Sequence, residues 1–185
     1  MILWIAAAGA GLFLAWIISA YNRFVRLKNE AENAWRQIDI QLKRRADLIP
    51  NLVSVVKGYM DYERETIEAV VSARALALSA HGLRERAVRE DDVSSSLAGL
   101  FAVIENYPEL KSSEQVLQLQ EELTTTENRI AFSRHHYNDI VANYRTAQSS
   151  FPDMVVAAVF AFPSFEFFST DPPGRLLPKA SLSRR

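Results

Sequence analysis

The chain has no cysteine among its 185 residues. This excludes a disulfide framework, an iron–sulfur cluster, cysteine-ligated zinc and a cysteine nucleophile. An excess of charge of one sign is also missing: 21 Lys and Arg face 22 Asp and Glu, for a formal net charge of -1. Nucleic-acid binders usually carry a strongly basic face, so nucleic acid is not an expected partner. Histidine is scarce, limited to His81, His135 and His136. Adjacent residues on a helix point about 100° apart, so His135 and His136 cannot share one metal ion well. No H-E-x-x-H, no Glu-x-x-His pair, no G-x-S-x-G elbow and no phosphate loop occurs. The residues therefore point to no catalytic group, no cofactor and no metal. No segment alternates apolar and polar residues long enough to make a strand, which leaves an all-α chain.

What is present begins with an uncharged run, MILWIAAAGAGLFLAWIISA, at residues 1–20. Some 20 apolar residues rising about 1.5 Å each match a bilayer core of about 30 Å. Trp4 and Trp16 suit the two membrane interfaces, and Tyr21 follows at the exit. A cleaved signal peptide is the competing reading, but it normally has a basic stretch first and a small-x-small cleavage site. Here no basic side chain precedes the run, and Ile18 makes a poor site, so residues 1–21 read as a retained transmembrane anchor. Arg23, Arg26 and Lys28 follow it directly. The positive-inside rule then places the N-terminus outside and the remaining chain in the cytoplasm.

Residues 22–80 read as helix almost throughout, with an apolar stripe in steps of three and four that includes Ala34, Ile38, Leu42, Ile49, Leu52 and Val56. Pro50 should clash with the carbonyl of Ala46. Leu42 and Ile49 stay in phase, so a kink is expected there and no change of direction. Gly82 suits a helix C-cap. Residues 82–92 are polar with alternating charge and read as an exposed connector. Asp91 or Asp92 would then cap a short helix carrying Leu97, Leu100, Phe101 and Ile104. Pro108 follows that helix. Ser112 and Gln115 have capping-box spacing and open a second long helix, with Val116, Leu119, Leu123, Ile130, Tyr137, Val141 and Tyr144 as its stripe. A short apolar segment at 154–162 comes next. The expected architecture is a transmembrane helix continuing into an antiparallel long-helix hairpin and bundle over 22–168, followed by a disordered tail, 169–185.

Two places are dense in charge. Around residues 36–47, Asp39 and Lys43 suit an intrahelical pair, while Arg44 and Arg45 lack one. They read as a solvated face or as a patch for protein docking. The second place is Thr126, Glu127, Asn128 and Arg129, with Arg134, Tyr137 and Asn138 downstream. These are expected to meet Arg44, Asp47 and Asn51 across the hairpin and to fix its register. A hydrolase using Asp39, Asp47 and Glu63 is the alternative. By length, the second long helix should leave the membrane-proximal part of the first one bare. Trp35 would then be exposed and costly to leave in water. That motivates a homo-oligomer joined through this face, with Arg44 and Arg45 meeting Glu63 or Glu65 of another copy.

The segment AWRQIDIQLKRRADLIPNLVSVVKGYMDYE, residues 34–63, resembles the hallmark of the LemA family of bacterial membrane proteins. A second match is ENYPELKSSEQVLQLQEELTTTENRIAFSRHHYN, residues 105–138. Tyr21-Asn22 before Val25 and Leu27 is also similar to the family's start. The resemblance covers roughly residues 1–168 and implies a bacterial cell-membrane protein with one anchor and a helical hairpin. It implies no enzyme activity. Some relatives act in membrane-organelle formation or occur beside membrane-protease genes, so the resemblance implies a scaffold or adaptor holding partner proteins, such as a protease. Two departures fall on the C-terminal packing. Tyr144 is followed by Arg145 where the family often repeats Tyr-Asn. Ala161-Phe162, followed by Pro163, stands where it often has Gly-Phe.

Overall fold

The computed structural model of the chain describes residues 1–60 and 62–169. Among them are six helices: α1 (Ile2–Val56), α2 (Arg64–Ser79), α3 (Leu83–Ile104), α4 (Pro108–Lys111), α5 (Glu114–Ser149) and α6 (Asp153–Val159). The anticipated tail from residue 170 onward lies outside the described residues. The described part is all-α, as expected. At about 1.5 Å per residue, the 55 residues of α1 extend some 80 Å without a break. Its first part is uncovered by protein and is the one segment among the described residues long and apolar enough to cross a membrane.

The bundle is built from two antiparallel hairpins. The long one pairs α1 with α5, and the short one pairs α2 with α3. Apolar side chains form three layers along it. The distal layer joins Ile49, Leu52 and Val56 of α1 to Val70, Leu97, Leu100, Leu110 and Leu123. The middle layer holds Ala34, Ile38, Leu42, Ala87, Ile130, Tyr137, Val141 and Phe168. The proximal layer holds Ala20, Phe24, Tyr144, Ala147, Val156 and Ala157.

Pro50 is tolerated as expected, since α1 runs through it to Val56. The proline has no N–H for the carbonyl of Ala46. Arg74 of α2 fills that role, its Nε donating to Ala46 O at 2.6 Å. The chain does reverse, but between the end of α1 at Val56 and the start of α2 at Arg64, so the expectation of one helix through residue 80 is corrected. Residues 82–92 are not an exposed connector. They begin α3, and Ala87, Glu90, Val93, Leu97, Leu100 and Ile104 are its buried stripe. Asp91 and Asp92 thus lie inside a helix and cap nothing. Gly82 sits at φ 83° as the N-cap of α3, while Ala80 closes α2. The anticipated box of Ser112 with Gln115 does not form: Ser113 is the N-cap of α5, and Ser112 Oγ donates to Pro108 O at 2.9 Å.

The membrane-proximal half of α1 is not bare. Phe24, Ala31, Ala34 and Ile38 are buried. The antiparallel α5 reaches this region, and residues 162–168 return along the hairpin as an extended strap. Trp35 is half-buried, with its ring centre 6.0 Å from Tyr137 and 5.4 Å from Phe168.

Candidate functional site

The stripe of α1 has a gap in its apolar sequence, and Arg45 fills it, three residues after Leu42 and four before Ile49. An arginine on a buried face must find acceptors, since the desolvation of an unpaired guanidinium costs several kcal/mol, on the order of 3–5 when one partner is removed. Arg45 and Glu90 are the buried charged side chains among the described residues. Arg45 Nη2 donates to Glu90 Oε2 at 2.6 Å and to the Glu90 carbonyl at 2.9 Å. Its Nη1 donates to Ser94 Oγ at 2.7 Å and to Glu127 Oε2. Ser94 Oγ in turn donates to Glu127 Oε1 at 2.8 Å.

The charges extend outward in alternation. Arg86 Nη2 lies 2.7 Å from Asp39 Oδ1, while its Nε lies 3.9 Å from Glu90 Oε1. Asp39, Arg86, Glu90, Arg45 and Glu127 thus run as a chain across α1, α3 and α5. Arg134 of α5 donates to Asp91 of α3 at 2.7 Å. These ties and the Arg74–Ala46 bond join the short hairpin to the long one.

A second polar set holds the strap. An extended segment has peptide groups with no partners of its own, and buried ones must be satisfied. Side chains of α5 supply them. Tyr137 Oη donates to Glu166 O at 2.9 Å. Asn138 Oδ1 accepts from the Phe168 N–H at 2.9 Å, and its Nδ2 donates back to Phe168 O at 3.2 Å. Tyr144 Oη donates to Pro163 O at 2.7 Å, and Arg145 Nε to Phe165 O at 2.8 Å. Gln148 Nε2 reaches Phe162 O and Pro163 O at 3.3 and 3.2 Å. Burial raises the Tyr137 phenol above its ordinary 10.0, partly offset by Arg145 and reinforced by Glu166. Burial raises Tyr144 likewise.

The residues singled out in the sequence divide accordingly. Arg45 and Glu127 meet at the edge of the core, where Glu127 is partly exposed, and Asp39 pairs with Arg86. Arg134, Tyr137 and Asn138 hold α3 and the strap. Trp35 lies between them, with the Arg86 guanidinium 5.8 Å from its ring centre. Arg44 pairs only loosely with Glu122, at 3.5 Å on the surface. Asp47, Asn51, Asn128 and Arg129 are exposed and do not join the cluster. Glu63 accepts a hydrogen bond from Tyr107 at 3.3 Å. The premise that Arg45 is free to meet another copy is corrected, because its acceptors are in its own chain. Asp39, Asp47 and Glu63 do not converge on a common point. Among the described residues, no three His, Asp or Glu side chains are placed to hold a metal ion. A groove of about 200 Å³ beside Ser94 and Glu127 is lined mainly by Leu97, Ala98, Phe101 and Leu123. Sequence reasoning missed Glu90, Ser94 and Arg86. The legible signal was an acid at a stripe position of residues 83–104, facing an arginine at a stripe position of α1.

Two helical hairpins, locked by polar ties and continuous with an uncovered apolar helix, make a membrane-associated helical protein. The chain belongs to the LemA family, whose sequence profile matches residues 34–180. It is similar to Magnetosome protein MamQ of Magnetospirillum gryphiswaldense, at 24% identity over 88% of this chain and 69% of that protein. Magnetosome protein MamQ 2 of Paramagnetospirillum magneticum is similar to the same degree and extent. Protein LemA of Metamycoplasma hominis is 26% identical over 74% of this chain and 63% of that protein.

Proposed function

We propose that this chain is a single-pass, non-catalytic scaffold or adaptor of the bacterial cell membrane. On this reading residues 1–21 are the anchor, the bundle stands in the cytoplasm, and it holds partner proteins or further copies of itself. The observation that carries the reading is the continuity of α1. One helix passes from an uncovered apolar segment into the core of the bundle, so the position of the anchor is transmitted rigidly to every layer. The polar cluster supports the same reading, since its ion pairs and hydrogen bonds run from one helix to another, joining α1 to α3 and α5. Self-association enters through confinement of the anchored copies and no longer through Trp35.

The test uses the full chain in native membranes. Gentle detergent extraction followed by mass photometry should give particles heavier than one copy. Monomers alone at micromolar concentration would refute the scaffold. For orientation, the cysteine-free chain accepts a single probe at the exposed Ser95. Ser95→Cys should react with an impermeant thiol reagent only after lysis, and labelling of intact cells would reverse the assignment.

A further inference from the structure

Helix α6 has an apolar inner face and an apolar outer face. Val156 and Ala157 pack on Ala20, Phe24, Tyr144 and Ala147. Outward stand Met154, Val155, Val159 and Phe160, with Phe151 just before them. Phe151 is 83% exposed and Val159 72%. No charged residue occurs from Met154 to Phe165. Contiguous apolar surface of this kind marks an interaction site in a stable protein.

The position of α6 along α1 names the occupant. Asp153 meets Arg23, the first charged side chain after the apolar run, at 2.9 Å. The Phe160 ring lies 4.9 Å from Tyr21, and Phe162 lies 5.5 Å from Tyr21 and 5.0 Å from Phe24. Trp16, inside the apolar run, borders the same cluster. The helix therefore sits level with the last turns of the anchor, where a bilayer gives way to water. Trp and Tyr gather at that depth in membrane proteins.

We propose that the outer face of α6 inserts into the lipid leaflet from which α1 emerges. Interfacial helices lie with their apolar side about 5–10 Å into the headgroup–acyl boundary. The bundle then has two attachments, the spanning helix and a foot beside it, which together fix its tilt and its rotation about the anchor. Lipid is the occupant because insertion of the anchor brings the leaflet against this face, before any second protein arrives. The inference rests on residues 1–21 spanning a bilayer.

The test places single cysteines in the full chain, reconstituted in phosphatidylcholine–phosphatidylglycerol vesicles, and labels each with an environment-sensitive fluorophore. The sites are Val155→Cys, Val159→Cys, Phe13→Cys in the anchor and Phe132→Cys on the exposed side of α5. Nitroxide-bearing lipid should quench the two α6 labels severalfold more than the one at Phe132, and aqueous iodide severalfold less. Iodide access equal to that at Phe132 overturns the proposal, as does shielding of α6 from both quenchers, which would mean a protein covers it. A Phe13 label that escapes the nitroxide refutes the anchor, and the foot falls with it. Quenching at Phe13 with none at Val155 and Val159 refutes the foot alone.

Discussion

The distal and proximal halves of the α1–α5 hairpin are covered by different means. In the distal half, α2 and α3 lay Val70, Leu97, Leu100 and Ile104 over Ile49, Leu52 and Val56. A helix satisfies its own peptide groups, so its contribution to such a layer need only be an apolar stripe. In the proximal half part of the cover is α6, whose Val156 and Ala157 pack on Ala20 and Phe24, and the rest is the extended strap, which brings peptide groups that need partners. The same face of α5 must then offer rings to pack and polar tips to bond. Tyr137 with Asn138, and Tyr144 with Arg145, recur seven residues apart for that reason. The kind of cover on a helix can be read from whether its buried face is purely apolar or carries polar tips at helical spacing.

The largest expected effect comes from the polar layer between the two halves. Arg45→Met would leave the buried Glu90 with only the distant Arg86, 3.9 Å away, and should destabilise the fold by about 3 kcal/mol, the lower end of the cost of breaking a buried pair. The neighbouring Arg44→Met removes only a loose surface contact and should stay within about 0.5 kcal/mol of neutral. Denaturant melts of the detergent-solubilised chain, followed by ellipticity, compare the two. Equal effects would show that the buried cluster does not hold the hairpins together.

The strap is tested next. Asn138→Ala removes two hydrogen bonds to Phe168 and should cost about 2 kcal/mol, summing two bonds of ordinary net strength. Hydrogen exchange should rise at residues 162–168 and stay protected in the distal layer. Alkali should loosen the same half selectively. The phenols of Tyr137 and Tyr144 hold their protons more tightly when buried than in the unfolded chain. Their contribution is complete below the ordinary phenol value of 10.0 and is lost as pH rises through the higher folded values. Tyr137→Phe should weaken that dependence, and an unchanged alkaline transition would refute the assignment.

A smaller effect sharpens the distal side. With Pro50 present, Arg74 is the donor to Ala46 O. Arg74→Ala should therefore cost about 1–2 kcal/mol, the penalty of a poorly solvated carbonyl left unmet. Pro50→Ala restores a backbone donor and should leave stability level or slightly raised. In that background Arg74→Ala should cost much less. Additive effects in this double-mutant cycle would show that the bond from Arg74 does not compensate for the proline.

Much of this organisation was legible in the residues. The apolar run, the passage of a helix through Pro50 and the stripe of α5 all follow from spacing in steps of three and four. The reversal between α1 and α2 was missed because the stripe stays apolar on both sides of it, with Gly58 as the lone local signal. The second half of α3, with Leu97, Leu100 and Ile104, was expected as a short helix, and its first half was missed because those turns are highly charged. A buried salt-bridged Glu90 has the same appearance in one dimension as a solvated one. The strap was missed for a related reason. Whether Tyr137, Asn138 and Arg145 bond water or a returning peptide depends on where residues 162–168 go, and no local periodicity records that path.

The smallest expected effect concerns the turn that launches the strap. Ala161 has φ 49°, in the left-handed region. There a β-carbon crowds the backbone and costs roughly 1–2 kcal/mol, a penalty glycine avoids. This supplies a physical reason for the Gly-Phe often present in the family where this chain has Ala161-Phe162. The neighbouring contacts keep the turn in place: Phe160 N donates to Val156 O at 3.1 Å, Phe162 N donates to Ala157 O at 3.2 Å, and the Phe162 ring packs on Phe24. Ala161→Gly should therefore raise stability, by about 1 kcal/mol after the extra freedom of glycine in the unfolded chain is subtracted. The gain should appear as slower exchange along residues 162–168 and leave the distal layer unchanged. Combined with Asn138→Ala it should recover part of the lost protection, because both changes act on whether the strap is seated. A loss of stability in Ala161→Gly would mean that the alanine is not strained in the seated strap.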